Sequence, residues 1–168
     1  YSVVGAARSS AFLRHLPADL ASHVVTGIDV ENTDSVVRFL DAERPQVVVN
    51  CIGLIKQLAE AKDSVAAISM NALLPHRLAR LSSLVGARFI HMSTDCVFSG
   101  SKGNYREDDP ADANDLYGRS KLLGEVDAPN AITIRTSIIG PELGSAHGLV
   151  GWFLAQEGQV RGFRRAIF

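Results

Sequence analysis

The chain has 168 residues, a size that favours one domain, and 46% of them are apolar, enough to bury a core. Its formal net charge of -1 provides neither a basic stripe for nucleic acid nor an acidic tail. Cys51 and Cys96 stand far apart, and His15, His23, His76, His91 and His147 show no metal-ligand spacing, so neither a disulfide framework nor a metal site is expected.

Ser2–Ala7 is a short apolar run closed by Arg8 and two serines, and reads as a strand. His23–Ile28 reads as the next. Asn32 or Thr33 then caps a helix carrying Val36, Val37, Phe39 and Leu40, with Pro45 beyond its end. Gln46–Ile52 is a β-branched run of the kind buried on both faces of a sheet. A polar loop with Lys56, Gln57, Glu60 and Lys62 follows. Asp63–Leu84 has helical spacing, with Pro75 predicted to kink it or to open its second half.

Ala87–Met92 reads as a strand, Ser93–Asn114 as a long charged loop, and Asp115 as the cap of a helix running to about Val126. Ala131–Thr136 is a strand and Gly140–Gly148 a glycine-rich loop. A short helix over Leu149–Gln156 and a last strand over Val160–Phe168 complete the chain. Strand and helix patterns alternate throughout, which predicts an α/β fold with a doubly wound parallel sheet and helices on both faces. Ligands of such sheets bind beyond the carboxyl ends of the strands, here after Ala7, Val49, Met92 and Thr136. No run is long and apolar enough to span a bilayer, and the thiol usage fits a reducing cytosol, so a cytoplasmic protein without a membrane or nucleic-acid partner is expected.

Two short patterns carry chemistry. In Tyr117-Gly118-Arg119-Ser120-Lys121 the phenol and ammonium lie four apart, on one helix face. A cation beside a phenol favours the phenolate and fits the tyrosine for proton transfer. Ser93-Thr94-Asp95 ends a strand, where hydroxyls stand at the mouth of the sheet and reach a substrate oxygen. Each pattern is common by itself, as a surface Tyr and Lys or as a polar turn. Their conjunction across one long loop is not.

The stretch Arg88-Phe-Ile-His-Met-Ser-Thr-Asp-Cys-Val-Phe-Ser-Gly100, then Tyr105-Arg-Glu-Asp-Asp-Pro110 and Tyr117-Gly-Arg-Ser-Lys-Leu-Leu-Gly-Glu125, resembles extended short-chain dehydrogenases. Within them it is most similar to dTDP-4-dehydrorhamnose reductase and its relatives. Arg44-Pro-Gln-Val-Val-Val-Asn50, Asn71-Ala-Leu-Leu-Pro75 and Ile134-Arg-Thr136 agree with the same resemblance. It implies a Rossmann-type domain with an NADP or NAD cofactor across the strand ends and a nucleotide-sugar substrate. By it, Tyr117 is the general acid that protonates the sugar C4 oxygen as hydride arrives. Lys121 holds the nicotinamide ribose and lowers the tyrosine pKa, and Thr94 hydrogen-bonds the reacting oxygen, with Ser93 as its neighbour and understudy.

The same resemblance places Arg8 and Ser9 at the adenosine ribose, where Arg8 either pairs with a 2′-phosphate, favouring NADP, or is a solvated loop arginine. Asp29 and Val30 flank the adenine. Asn50, Cys51, Ile52 and Gly53 line the cofactor, Asn71 stands behind it, and Thr136 sits near the nicotinamide. Gly144–Leu149 and the Arg164, Arg165 pair are candidates for sugar-nucleotide contacts, or solvated surface.

The chain also departs from the resemblance. No G-x-x-G-x-x-G loop matches anywhere, and Gly5 stands alone in its strand, so a central strand and the phosphate cradle are missing and a longer protein is expected. The family's substrate-closing region beyond Phe168 is missing too. Cys96 replaces a tyrosine common after Ser-Thr-Asp. Two other functions stay open: an epimerase or dehydratase that retains its nicotinamide, and a non-catalytic regulatory protein on the same fold. A homodimer is a further expectation. Leu78, Leu81, Leu116, Leu122 and Leu123 either pair two copies or face the chain's own sheet.

Overall fold

The computed structural model describes residues 1–56, 62–140, 142–143 and 148–162. They form two compact units, one of residues 1–29 with the segment after 136, the other Val30–Thr136.

In the first unit, β1 (Gly5–Ala7), α1 (Ala18–Ala21) and β2 (Val24–Thr26) make a parallel strand pair with Gly5 opposite Val24 and Ala7 opposite Thr26. Both strands are shorter than their apolar runs.

The second unit holds α2 (Thr33–Glu43), β3 (Val47–Asn50), α3 (Ser64–Ala67), α4 (Leu74–Leu84), β4 (Arg88–Ser93), α5 (Leu116–Leu123) and β5 (Ala131–Arg135). The last helix, α6 (Leu149–Leu154), belongs to the first unit. Val160–Gly162 have no regular structure, and the rest of the expected last strand lies outside the described residues, as do 144–147 and Arg164 and Arg165.

All strand pairs are parallel, in the orders β1-β2 and β3-β4-β5. Among the described residues no pairing joins β1 to β3. That division agrees with the expected lack of a central strand.

In the three-stranded sheet the period of two sorts the side chains cleanly. Val48, Phe89 and Ala131 share one rung, and Asn50, His91 and Thr133 the next, all on the face toward the core. That core joins Val36 and Leu40 of α2 to Leu74, Leu78 and Ala79 of α4 over Phe89, which is fully buried. The opposite face carries Val49, Ile90 and Ile132 in one rung, with Val49 54% and Ile132 55% exposed. Within the second unit, α2 and α4 cover one face of this sheet.

The helix entries follow their capping residues. Asn32 Oδ1 accepts from the N–H groups of Asp34 and Ser35, satisfying two of the orphan donors of α2. Asp115 Oδ1 accepts from Gly118 N at 2.9 Å and starts α5 as expected. That helix stops at Leu123, earlier than its apolar pattern suggests, with Gly124 as its cap.

Pro75 opens the second half of the long helix after β3, one of the two expected outcomes. A π turn over Ile68–Leu73 links α3 to α4, and Pro75 sits in the first turn of α4. Proline has no N–H and its ring collides with the carbonyl four residues back, which is Asn71. The wider turn absorbs the collision. Gly124 packs directly on it: a Cβ at Gly124 would lie 1.9 Å from the Asn71 oxygen. The close packing of α5 on the π turn depends on that missing side chain.

Candidate active site

The carboxyl ends of β3 and β4 gather the polar side chains. Asn50 Oδ1 accepts from Ile52 N at 3.0 Å, which turns the chain out of β3. Its Nδ2 therefore donates to His91 Nδ1, at 3.1 Å. This bond assigns the ring proton to His91 Nε2, which is buried without a partner among the described residues. Burial, then the charge of Lys121, lowers the His91 pKa to about 4, so the ring is neutral.

One rung further, Ser93 donates to Glu125 Oε1 at 2.9 Å. Arg135 closes on the same carboxylate from β5, Nε to Oε1 at 2.8 Å and Nη2 to Oε2 at 2.7 Å. Burial would raise the Glu125 pKa, but the hydrogen bonds from Arg135 and Ser93 outweigh it and hold the carboxyl below its usual range. The Arg135 guanidinium also lies 5.1 Å from the centre of the Phe98 ring, and Phe98 stacks on Tyr105. One carboxylate thus ties the end of β4, the exit of α5 and the long loop together.

Thr94 follows directly. Its Oγ1 accepts from Cys96 N at 3.1 Å and caps a short 3₁₀ turn, Asp95–Val97. That turn runs beneath α5 so closely that a Cβ at Gly118 would lie 2.4 Å from the Cys96 carbonyl. The approach brings half-buried Tyr117 to Thr94. Burial pushes the Tyr117 phenol above its ordinary value, and hydrogen bonding with the Thr94 hydroxyl pulls against that rise. The nearby Cys96 and Asp95 add to the rise, whereas the Lys56 ammonium opposes it.

Lys121 stands one turn beyond Tyr117 and is 5% exposed. Its Nζ donates to the Met92 carbonyl at 2.8 Å, and burial lowers its pKa. Spacing alone predicts a phenol lowered by the lysine four residues on. In the folded chain burial dominates and the phenol is raised.

Asn71 is 1% exposed and fully occupied. Oδ1 accepts from Leu54 N at 2.8 Å, and Nδ2 donates to Leu54 O at 3.1 Å and to Ser120 Oγ at 3.2 Å. It pins the loop after β3 to α5. In that loop Gly53 leaves an opening: a Cβ there would lie 3.2 Å from Asn71 Oδ1 and 3.6 Å from Lys121 Nζ. Cys51 is exposed and Ile52 to Leu54 are half-buried. A strand end with bare backbone, a small residue and a buried ammonium suits the ribose of a nicotinamide cofactor. Further out, Lys56, Lys62, Asp115, Leu116 and Tyr117 line a cavity of about 420 Å³.

The family model described as the RmlD substrate binding domain matches residues 10–159 of the chain. The chain belongs to the RmlD family. The match takes in Thr94, Tyr117 and Lys121 together. Among RmlD relatives, dTDP-4-dehydrorhamnose reductase of Burkholderia thailandensis is 37% identical over 99 residues, covering 58% of this chain and 33% of its own. A crystal structure of a dTDP-4-dehydrorhamnose reductase from Clostridium acetobutylicum has TM-score 0.63 at 26% identity, covering 80% of this chain and 53% of that one. The Bacillus anthracis dTDP-4-dehydrorhamnose reductase, solved in complex with NADP, shares the fold with TM-score 0.55 at 24% identity, covering 73% and 48%. The chain spans 33% of the length of the Burkholderia protein and 43% of that of a probable low-salt glycan biosynthesis reductase of Haloferax volcanii.

The remaining candidates separate. In this RmlD chain Val30 packs against the core, and Thr136 is half-buried at the end of the second unit. Arg8, Ser9 and Asp29 lie in the first unit, where Arg8 and Ser9 are exposed and Ser9 Oγ accepts from Ala11 N at 3.1 Å. Leu78 is buried in the core and Leu81 packs against it, whereas Leu123 is 64% exposed. Sequence reasoning missed Glu125 and Arg135 as a pair, His91 and Lys56. A charged residue at an inward position of an alternating strand, as Arg135 is in β5, was the available signal.

Proposed function

We propose that this chain supplies the proton-transfer half of an NAD(P)H-dependent reductase acting on a 4-keto nucleotide sugar. The reading rests above all on Thr94 at the carboxyl end of β4 and on Tyr117 and Lys121 one turn apart on α5, beside an open cavity. The match of the family to dTDP-4-dehydrorhamnose reductases supports the same substrate class.

Tyr117 gives its phenolic proton to the C4 oxygen while hydride reaches C4, so the ketone becomes an alcohol. The phenol is protonated near neutral pH and so carries the proton that the reducing direction consumes. Thr94 hydrogen-bonds the same oxygen and fixes its position between the phenol and the strand end. A bound nicotinamide cofactor supplies the hydride. Lys121 holds its ribose, with Gly53, Ile52, Cys51 and Asn50 as the backbone wall on which it lies. Asn71 and Ser93 hold that wall and Thr94 in place through Leu54 and Glu125. Thr136, at the end of the same unit, extends the cofactor wall in this reading. Leu123 offers an apolar contact for a homodimer.

The test is turnover by the full-length protein with NADPH or NADH and a panel of 4-keto-6-deoxy nucleotide sugars. Consumption of cofactor with any of them supports the reductase. Cofactor that binds and stays through purification, without net consumption, favours a nicotinamide-retaining epimerase or dehydratase. Failure to bind either nicotinamide overturns the enzyme reading.

A further inference from the structure

Tyr117 and Lys121 share a helix face, yet the Lys121 ammonium is given to the Met92 carbonyl, at 2.8 Å. A different ammonium stands over the phenol. Lys56, in the loop after β3, places its Nζ 5.5 Å from the centre of the Tyr117 ring. It is held there by Asp115, whose Oδ2 accepts from Lys56 Nζ at 3.1 Å. The other oxygen of Asp115 caps α5 through Gly118 N, at 2.9 Å. One carboxylate therefore fixes both the start of the helix that carries Tyr117 and the cation beside it. Asp115 and Lys56 are each about half exposed, so the pair itself adds little to folding stability. A cation over an aromatic ring is attracted by the ring's electron density, and it favours the phenolate.

We infer that Lys56 is a positioning residue that sets the proton affinity of Tyr117, with Asp115 as the tether that holds it in place. The groups facing the phenol are Thr94, Asp95 and Cys96 from the turn after β4, and Lys56 from the loop after β3. Among the described charged residues, Lys56 draws the phenol downward and Asp95 acts the other way. Lys56 also faces the cavity beside Tyr117, so its charge is felt where the substrate oxygen is protonated. The inference deepens the reading of Tyr117 as the acid and rests on it.

The test titrates Tyr117 directly in the full-length protein, without substrate. Tyrosine is labelled with carbon-13 at Cζ, and the Tyr117 signal is assigned by its loss in Tyr117→Phe. Lys56→Gln is expected to raise the Tyr117 pKa by about one pH unit, the size expected for one partly solvated charge near the ring. Lys56→Arg keeps the charge and is expected to restore the original value. If turnover is found, the basic limb of kcat/KM moves with the titration in Lys56→Gln while KM for the cofactor stays put. An unchanged Tyr117 titration in Lys56→Gln overturns the inference. The titration is read without turnover, so its outcome is separate from success or failure of the reductase assay.

Discussion

Glu125 and Arg135 meet in a two-point ion pair, 2.8 Å and 2.7 Å, with Ser93 on the same carboxylate at 2.9 Å. The three residues come from the exit of α5, from β5 and from the end of β4, immediately before Thr94. Both charged side chains are mostly covered, 23% and 16% exposed, so removing one charge strands the other in a partly dry site. Glu125→Gln is expected to cost about 2–3 kcal/mol of stability, measured by denaturant unfolding. It is also expected to lower kcat more than it raises KM, because the group it holds is the end of β4.

His91 gives the fold a pH dependence of known sign. Its folded pKa is about 4, below the 6.5 of a free imidazole. Between those values the unfolded chain takes up a proton that the folded chain refuses. Stability from this group is complete above pH about 6.5 and falls as pH drops toward about 4, by about 3 kcal/mol in all. His91→Asn should flatten that part of the stability profile, with thermal unfolding across the pH range as the measurement.

Gly124 lies on the Asn71 carbonyl, four residues before Pro75. A methyl group there meets the Asn71 oxygen at 1.9 Å, and both partners are backbone, so neither yields easily. Gly124→Ala is expected to destabilise the fold by about 3 kcal/mol in chemical unfolding. Gly53→Ala is a milder case. Its Cβ meets the Asn71 side chain at 3.2 Å and the Lys121 ammonium at 3.6 Å. Weaker nicotinamide binding with near-native stability is the expected outcome, read by fluorescence titration of NADPH into the full-length protein.

The bare sheet face makes a prediction about this chain by itself. Val49, Ile132 and Ile134 lie exposed on one side of β3-β4-β5, with Val47 beside Val49 along β3. A contiguous apolar patch of this kind binds hydrophobic dyes and favours association. The chain should enhance the fluorescence of anilinonaphthalene sulfonate, and Ile132→Thr with Val49→Thr should reduce that signal.

Much of this was legible before folding. The β-branched run at Val47–Val49 and the alternation of Phe89 and His91 with Ile90 and Met92 announce β3 and β4, because period-two burial is written in residue types. The caps Asn32 and Asp115 mark α2 and α5 for the same local reason. The π turn was not legible. It depends on Pro75 meeting the Asn71 carbonyl and on Gly124 arriving from α5, a contact across more than one element. The raised phenol of Tyr117 was missed because helical spacing sets a direction for Lys121 but says nothing about the Met92 carbonyl that claims it. Lys56 was hidden in a polar stretch, and its place over the Tyr117 ring leaves no pattern in sequence.

The decisive comparison sets Tyr117→Phe beside the unaltered full-length protein, given NADPH and a 4-keto-6-deoxy nucleotide sugar. The lost hydroxyl leaves the ring, the cavity and Lys121 in place. If Tyr117 is the acid, cofactor oxidation falls by about a hundredfold or more while NADPH binding stays within about twofold, as expected for removing a general acid. Cofactor oxidation that continues at the unaltered rate in Tyr117→Phe would contradict the reading.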